Sequence, residues 1–403
     1  MKVIHLILGK ANPERLNGVN KVVHALASEQ HRAGADVAVW GISADLTPNY
    51  PARVFATRLF AARRNPFALP LALGPALAAL AASTPALVVH LHGAFIPVYY
   101  ALARRLTALR IPYVLTPHGS YSRAARARSG LTKRVYQHLF EYYLLAHAAR
   151  VHCLGLSEVL GVQHLARQLR YQLRQPLRTC LLPYGVEPPR PVAPLIAAAP
   201  GRFRVGFCGR LDDAHKGLDC LLEGFAAFAR HVPQAELWII GDGPDRHLVE
   251  DWAADAPAGS VQVLGSRFGE EKLALLGQLN VFALTSHHEG LPTAVLEALA
   301  LGVPCVVTEA TNLGRYVRAF SCGEVLPTAS PELLTEALHR RYDHWAANAP
   351  ANAPAGTDAE GGTEGDAGAE SLAQRCRRLV RTAFYWPHLL PAYHQMYQEA
   401  LAV

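Results

Sequence analysis

Strand-like and helix-like stretches alternate along this chain from end to end, and the alternation starts over near Phe203. KVIHLIL is followed by a helical pattern from about Gly18 to Ala33 and then by DVAVWGI. ALVVHLHG, a helix through YYALARRLTAL, and PYVLTPHG come next. From FRVGFCGRL the order repeats, with GLDCLLEGFAAFARHV as a helix and then ELWIIGDGP, VQVLGS, VFALTS and PCVVTEA, each separated from the next by a helical stretch. Parallel strands need a crossover segment between them, and strands buried on both faces read as continuous apolar runs. The pattern therefore predicts two doubly wound α/β domains, each a parallel sheet covered by helices.

We place the first domain at 1–190 and a linker at 191–202, overlapping the proline-rich stretch Leu181–Gly201. The second domain is placed at 203–378 and a C-terminal helix at 379–403. Asp343–Ser371 is rich in Ala, Gly, Pro and acidic residues and lacks the large apolar side chains that offset ordering entropy, so it reads as a disordered insertion. At 403 residues the chain is long enough for two cores.

Seven cysteines are scattered without a C-x-x-C pair, which argues against zinc sites and a disulfide framework and for a reducing compartment. MKVIHLILGK reads as a first strand and not as a signal peptide. PFALPLALGPALAALAAS, Pro66–Ser83, is too short and too weakly apolar to span a bilayer. Residues 1–190 hold 23 Lys+Arg and 7 Asp+Glu, a balance of +16, and the remainder holds 16 and 25, a balance of −9. Such a split points the basic half at an anionic surface, with a merely solvated basic face as the plain alternative. No nucleic-acid motif accompanies the charge. The expected location is cytoplasmic, peripheral at the inner face of the plasma membrane.

In open α/β sheets ligands bind beyond the carboxyl ends of the strands, so residues there carry most information. After the first strand, Gly18 would open a helix and let a ligand approach the backbone, although no G-x-G-x-x-G accompanies it. After PYVLT, His118 precedes Gly119 and Ser120; a histidine there suits a sugar hydroxyl, and is otherwise structural. His90 and His92 in VVHLHG are weaker candidates of the same kind. After FRVGFC, Arg210 and Lys216 place two cations on one glycine-flanked loop that ends at a helix start, a good diphosphate site. After VFALTS, Glu289 precedes Gly290 and Leu291, whose amides lie at the positive end of a helix. Pro292 suits the first turn of that helix and Gly302 its stop. Glu297, eight positions beyond Glu289, would look outward from it. Each glutamate alone also reads as an ordinary helix charge. D-x-D is absent from the sequence, so no metal site is indicated and Arg210 with Lys216 would carry the electrostatic work.

Together these residues resemble the GT4 family of retaining glycosyltransferases, with the GT-B fold: two Rossmann-like domains facing a central cleft. The resemblance rests on the Gly18 loop, HGS at His118, LSE at Leu156–Glu158 and PYGVE at Pro183–Glu187, where the family commonly has P-N-G-V-D. It continues through GRL with the following KG, GDGP at Gly241–Pro244, and the E-x7-E motif EGLPTAVLE. It implies that Glu289 contacts donor sugar hydroxyls, Glu297 the nucleotide ribose, Arg210 and Lys216 the diphosphate, Gly18 the same phosphates, and His118 the sugar near its anomeric centre. It also implies a nucleotide-diphosphate sugar as donor, no cofactor, no obligatory metal, and a glycan or lipid-linked acceptor. Tyr184 and Glu187 depart from the family pattern and are read as changes in a linker. The loop LDDAHKG is slightly longer than many family versions. A glycan phosphorylase, a sugar-nucleotide epimerase and a non-catalytic scaffold subunit share the fold. The first would need a pyridoxal phosphate lysine context that the sequence lacks, E-x7-E with HGS favours transfer over epimerisation, and a scaffold need not keep Glu289, Arg210 and Lys216.

Overall fold

The computed structural model describes residues 1–14, 18–122, 125, 135–168, 176–187, 201–348 and 370–403. The chain divides into two compact units, one of Met1–Gly185 with Trp386–Val403 and the other of Val186–Tyr385.

The first unit is built on seven parallel strands: β1 (Lys2–Leu8), β2 (Asp36–Ser43), β3 (Ala56–Ala61), β4 (Leu87–His92), β5 (Tyr113–Thr116), β6 (Arg150–Cys153) and β7 (Thr179–Leu181). Their order is β3-β2-β1-β4-β5-β6-β7, so the winding reverses at β1, between β2 and β4. The helix Gly18–Arg32 buries Val22, Val23, Leu26, Ala27 and Gln30, one face at helical spacing. Its last turn carries His31 and Arg32, the charge preferred at a helix carboxyl end. The C-terminal helix Trp386–Leu401 buries Trp386, Tyr393, Met396, Tyr397 and Ala400. A Cβ on Gly185 would lie 2.4 Å from the Trp386 ring, so only glycine lets the indole seat there.

The second unit has six parallel strands: β8 (Phe203–Cys208), β9 (Ala235–Ile240), β10 (Val261–Gly265), β11 (Val281–Leu284), β12 (Cys305–Thr308) and β13 (Gly323–Leu326). The order β10-β9-β8-β11-β12-β13 reverses at β8. The loops after β8 and β9 nest closely. A Cβ on Gly241 would meet the Gly209 carbonyl oxygen at 1.9 Å, and one on Gly243 would meet that of Leu211 at 2.1 Å.

Two details differ from the sequence reading. The expected insertion Asp343–Ser371 is structured at both edges. The helix Pro331–Asn348 runs on through Asp343–Asn348, because the Trp345 ring packs 5.4 Å from that of Phe203. Ser371 caps the helix Leu372–Ala383, with Gln374 N donating to Ser371 Oγ at 3.2 Å and Ser371 N to Gln374 Oε1 at 2.8 Å. Residues 349–369 of that stretch, and 191–200 of the expected linker, lie outside the described residues. The change of unit falls between Tyr385 and Trp386, after the helix Leu372–Ala383 and not within it, because Cys376, Leu379 and Val380 bury that helix in the second unit. Among the described residues no helix is long and apolar enough to cross a membrane.

Candidate active site

In the second unit, the loops after β8 and β11 meet at the point where the winding reverses. Lys216 ends the short helix Asp213–Lys216, and its Nζ lies 2.5 Å from Glu289 Oε1. Ser286 Oγ donates to the same oxygen at 2.9 Å, and His215 Nε2 lies 3.9 Å from Glu289 Oε2. The two loops are tied by backbone as well: His287 N donates to the His215 carbonyl at 3.0 Å, and Thr285 Oγ1 donates to that of Gly217 at 2.7 Å. Glu289 is only 8% exposed. Burial alone would raise its carboxyl, but the charges of Lys216 and His215, with hydrogen bonds from Lys216 and Ser286, outweigh it and hold the carboxyl below its ordinary range. The His215 ring stacks on that of His288 at 4.1 Å, and burial lowers its pKa although Glu289 pulls the other way.

Beyond Glu289 the chain turns into the helix Thr293–Leu301, with Pro292 at its N-cap position and Gly302 closing it in the left-handed region at φ 92. Asn312 fixes this turn, donating through Nδ2 to the carbonyls of Glu289 at 3.0 Å and Gly290 at 2.9 Å. The amides of Gly290 and Leu291 make no hydrogen bond among the described residues. Arg210 is exposed on the loop after β8, and its only acidic neighbour among the described residues is Asp212, 3.9 Å away. Glu297 does not look outward as the sequence reading expected. It is 9% exposed, and Lys272 Nζ from the helix Gly269–Leu276 lies 2.5 Å from its Oε2. The helix is covered on that face, so a carboxylate there needs a partner.

In the first unit, His118 follows β5 with φ 53, and Gly119 follows with φ 88. Two consecutive left-handed residues make a sharp strand exit, and a non-glycine there marks a position the surroundings enforce. Glu158, fully buried, enforces it: its two carboxylate oxygens accept from Gly119 N and, at 2.8 Å, from Leu154 N. Burial raises the Glu158 carboxyl to about 7 in spite of those bonds. His118 Nε2 lies 3.1 Å from His92 Nδ1, and Tyr184 Oη lies 2.8 Å from His118 Nδ1. Gly18 opens its helix with an exposed backbone, and a Cβ there would meet no described atom within 4 Å.

Two family models match the chain, one described as a glycosyl transferase 4-like domain over residues 17–185 and one as glycosyl transferases group 1 over residues 202–344. The chain belongs to the GT4 family of glycosyltransferases. Over 241 residues this GT4 chain is 30% identical to the GDP-mannose:cellobiosyl-diphosphopolyprenol alpha-mannosyltransferase of Xanthomonas campestris, covering 57% of itself and 60% of that protein. It spans less than two thirds of the length of the first curated relatives it matches. Among solved structures it resembles the sucrose-phosphate synthase of Thermosynechococcus elongatus, with TM-score 0.69, 19% identity and full coverage of both chains. It resembles HepE of Anabaena in complex with UDP-glucose with TM-score 0.69, 15% identity and again full coverage of both. These likenesses show the fold, which is GT-B.

Within this GT4 chain the structure joins Lys216 to Glu289 and sets Gly290 and Leu291 beside them. It leaves Glu297 apart, on Lys272. Sequence reasoning missed Ser286, His215, His288, Asn312, Lys272 and Tyr184. Tyr184 was legible only as a departure from the family pattern. Read as a linker change, it is 1% exposed and bonded to His118, which corrects that reading.

Proposed function

We propose that this GT4 chain transfers a sugar from a nucleotide-diphosphate sugar to a glycan or lipid-linked acceptor, with retained anomeric configuration and no required metal, in making a cell-surface polysaccharide or glycolipid. The observation that carries this reading is the pairing of Lys216 with the buried Glu289, beside the amides of Gly290 and Leu291, which make no hydrogen bond among the described residues. Glu289 is a carboxylate that accepts from sugar hydroxyls. Lys216 and the exposed Arg210 take the diphosphate, where negative charge develops as the anomeric C–O bond breaks. The acceptor oxygen attacks from the same face, and the leaving phosphate takes its proton. Glu297 is assigned to the nucleotide ribose, and Gly18 and His118 to the donor's phosphates and sugar.

The UDP-glucose bound by HepE and the GDP-mannose and diphosphopolyprenol in the Xanthomonas enzyme's name support a nucleotide-sugar donor and a lipid-linked acceptor. The basic balance of residues 1–190 supports docking on an anionic membrane. So does a groove of about 580 Å³ on the first unit, lined by Phe67, Leu69, Tyr100, Arg104, Arg105 and Phe140. We place the protein in the cytoplasm at the inner membrane face, with no nucleic-acid partner.

The test is nucleotide release from a panel of UDP- and GDP-sugars with a diphosphopolyprenol-linked saccharide as acceptor. One donor should release nucleotide in an acceptor-dependent way, and the product linkage should keep the donor's anomeric configuration. Release no faster than that of Lys216→Ala across the whole panel overturns the reading.

A further inference from the structure

One face of the first unit's sheet is polar where a parallel sheet normally carries Val, Ile or Leu. His5 on β1, His90 and His92 on β4, Thr116 on β5 and His152 on β6 are all buried, none more than 1% exposed. A neutral imidazole has one donor nitrogen and one acceptor, and the partner of either decides which is which.

The directions can be worked out from one end. His152 Nε2 lies 2.7 Å from the Leu182 carbonyl oxygen, which only accepts, so Nε2 carries the proton and Nδ1 is bare. That Nδ1 lies 2.8 Å from Thr116 Oγ1, which must donate to it. The threonine proton is then taken, so His90 Nε2 donates to Oγ1 at 2.7 Å and His90 Nδ1 is bare. Tyr397 Oη donates to that nitrogen at 2.9 Å, and so must itself accept, at 3.2 Å, from the Gln30 amide nitrogen. This settles which way the amide faces. Gln30 Oε1 accepts from His5 Nε2 at 2.6 Å, leaving His5 Nδ1 bare. His92 Nε2 donates to it at 2.9 Å, and His118 Nε2 donates to His92 Nδ1 at 3.1 Å. Tyr184 Oη lies 2.8 Å from His118 Nδ1 and 3.4 Å from Nε2; with Nε2 donating to His92, the nearer Nδ1 is bare and accepts from the hydroxyl. The bonds run one way from the Tyr184 hydroxyl to the Leu182 carbonyl, two residues away in sequence.

We propose that this one-way chain fixes His118 as a neutral ring with its proton on Nε2 and its Nδ1 held by Tyr184, making Gln30 and Tyr184 positioning residues for the sugar-transfer site. The proposal rests on the reading of His118 as a donor-sugar residue. It changes what His118 does there. With both nitrogens committed, the ring orients the strand exit and presents a neutral surface to the sugar, and does not carry a proton during transfer. Burial holds His118 down to about 3, with His152 adding to that effect. The titratable groups facing it are His92, His152 and Tyr184, with Glu158 on the neighbouring Gly119 amide. His5, His90 and His92 bring nitrogens within 4.8 Å of one another, a spacing a metal would accept, but the chain already gives each of those nitrogens a protein partner.

The experiment is imidazole nitrogen NMR on the full chain labelled at histidine, between pH 8 and 5. The wild-type spectrum should show His118 with a protonated Nε2 and a bare Nδ1, unchanged across the range. A protonated Nδ1 at neutral pH overturns the proposal without any variant. Tyr184→Phe should keep the tautomer and shift the Nδ1 resonance, because the hydrogen bond to that nitrogen is gone, while burial still keeps the ring from titrating in this range. Gln30→Leu should give mixed tautomers at His118 and lower kcat by about tenfold or more, since misplacing a positioned group can cost up to about a hundredfold. Variants that leave the His118 spectrum unaltered also overturn it. If the spectrum is as stated but no nucleotide sugar is turned over, the chain of bonds stands and the transferase reading is what fails.

Discussion

Lys216 and Glu289 are held against each other at 2.5 Å although 73 residues separate them in sequence. One ends a short helix after β8 and the other follows β11, and those two strands are neighbours where the sheet's winding reverses. The pair therefore exists because the sheet order brings two strand ends together. Each residue serves the other: the ammonium keeps a buried carboxylate ionised, and the carboxylate aims the ammonium.

Lys216→Ala should weaken binding of UDP or GDP by about 2–4 kcal/mol, the scale on which a positioned donor acts on developing or fixed negative charge in a partly dry site. Isothermal calorimetry with the nucleotide diphosphate measures it. Affinity within twofold of the wild type would remove Lys216 from the diphosphate site.

The same substitution should also lower stability, because Glu289 stays buried and loses its principal countercharge; breaking a buried pair this way costs about 3–5 kcal/mol. Adding Glu289→Gln, which has no charge to strand, should recover part of that loss in urea melts. A double variant no more stable than Lys216→Ala would show that the pair is not coupled.

How far the sequence was legible follows from distance along the chain. The strand–helix alternation and the strand-end positions of His118, Arg210 and Glu289 are local properties, readable from apolar runs and glycine placement. The pairing of Lys216 with Glu289, and of Lys272 with Glu297, is not local. Glu297 looked like an outward charge because the covering helix Gly269–Leu276 cannot be placed from pattern alone. His5, His90 and His152 each interrupt an apolar strand, which was visible. What was not visible is that β1, β4, β5 and β6 lie side by side and turn those histidines into one hydrogen-bonded set. Trp345 shows the same limit at the edge of the low-complexity stretch, where one aromatic contact with Phe203 extends a helix that composition alone would have ended.

Stability should fall as the solution is made acidic from pH 7 to 5. Burial lowers His5 and His152 to about 4, so between that value and 6.5 the unfolded chain binds protons that the folded chain refuses. Each ring then costs about 2 kcal/mol by pH 5, at roughly 1.4 kcal/mol per unit. Glu158, raised to about 7, works in the opposite sense, since the folded state binds its proton more readily over the same interval. His90, His92 and His118 are also lowered, so the histidines outnumber it and the net slope is toward loss in acid. Urea midpoints at several pH values test this, and a midpoint that rises on acidification would refute it.

Transfer should survive excess chelator if, as proposed, Arg210 and Lys216 offset the diphosphate charge, since the sequence offers no D-x-D. Initial rates of freshly desalted protein with and without chelator decide the matter. A collapse that magnesium or manganese restores would show that these two side chains are not sufficient.

The first unit should bind anionic membranes in a salt-sensitive way. Residues 1–190 carry a balance of +16, and Arg104 stands exposed beside the groove that also holds Phe67, Tyr100 and Phe140. Arginines beside aromatic rings suit a headgroup layer, where the charge meets phosphate and the ring meets the acyl boundary. Arg123, Arg126 and Arg128 belong to a second basic stretch, Ser122–Tyr143, and lie outside the described residues. Each engaged cation contributes about 1 kcal/mol, so four together give reversible binding that screening by salt weakens. In liposome flotation the wild type should rise with vesicles as their anionic lipid fraction increases and sink as salt is added. Replacing Arg104, Arg123, Arg126 and Arg128 by Glu should abolish flotation and leave UDP and GDP affinity unchanged, since none of the four is assigned to the nucleotide. An acidic soluble glycan as the true partner would leave the wild type at the bottom of the gradient even with strongly anionic vesicles at low salt, and that result would end the membrane reading.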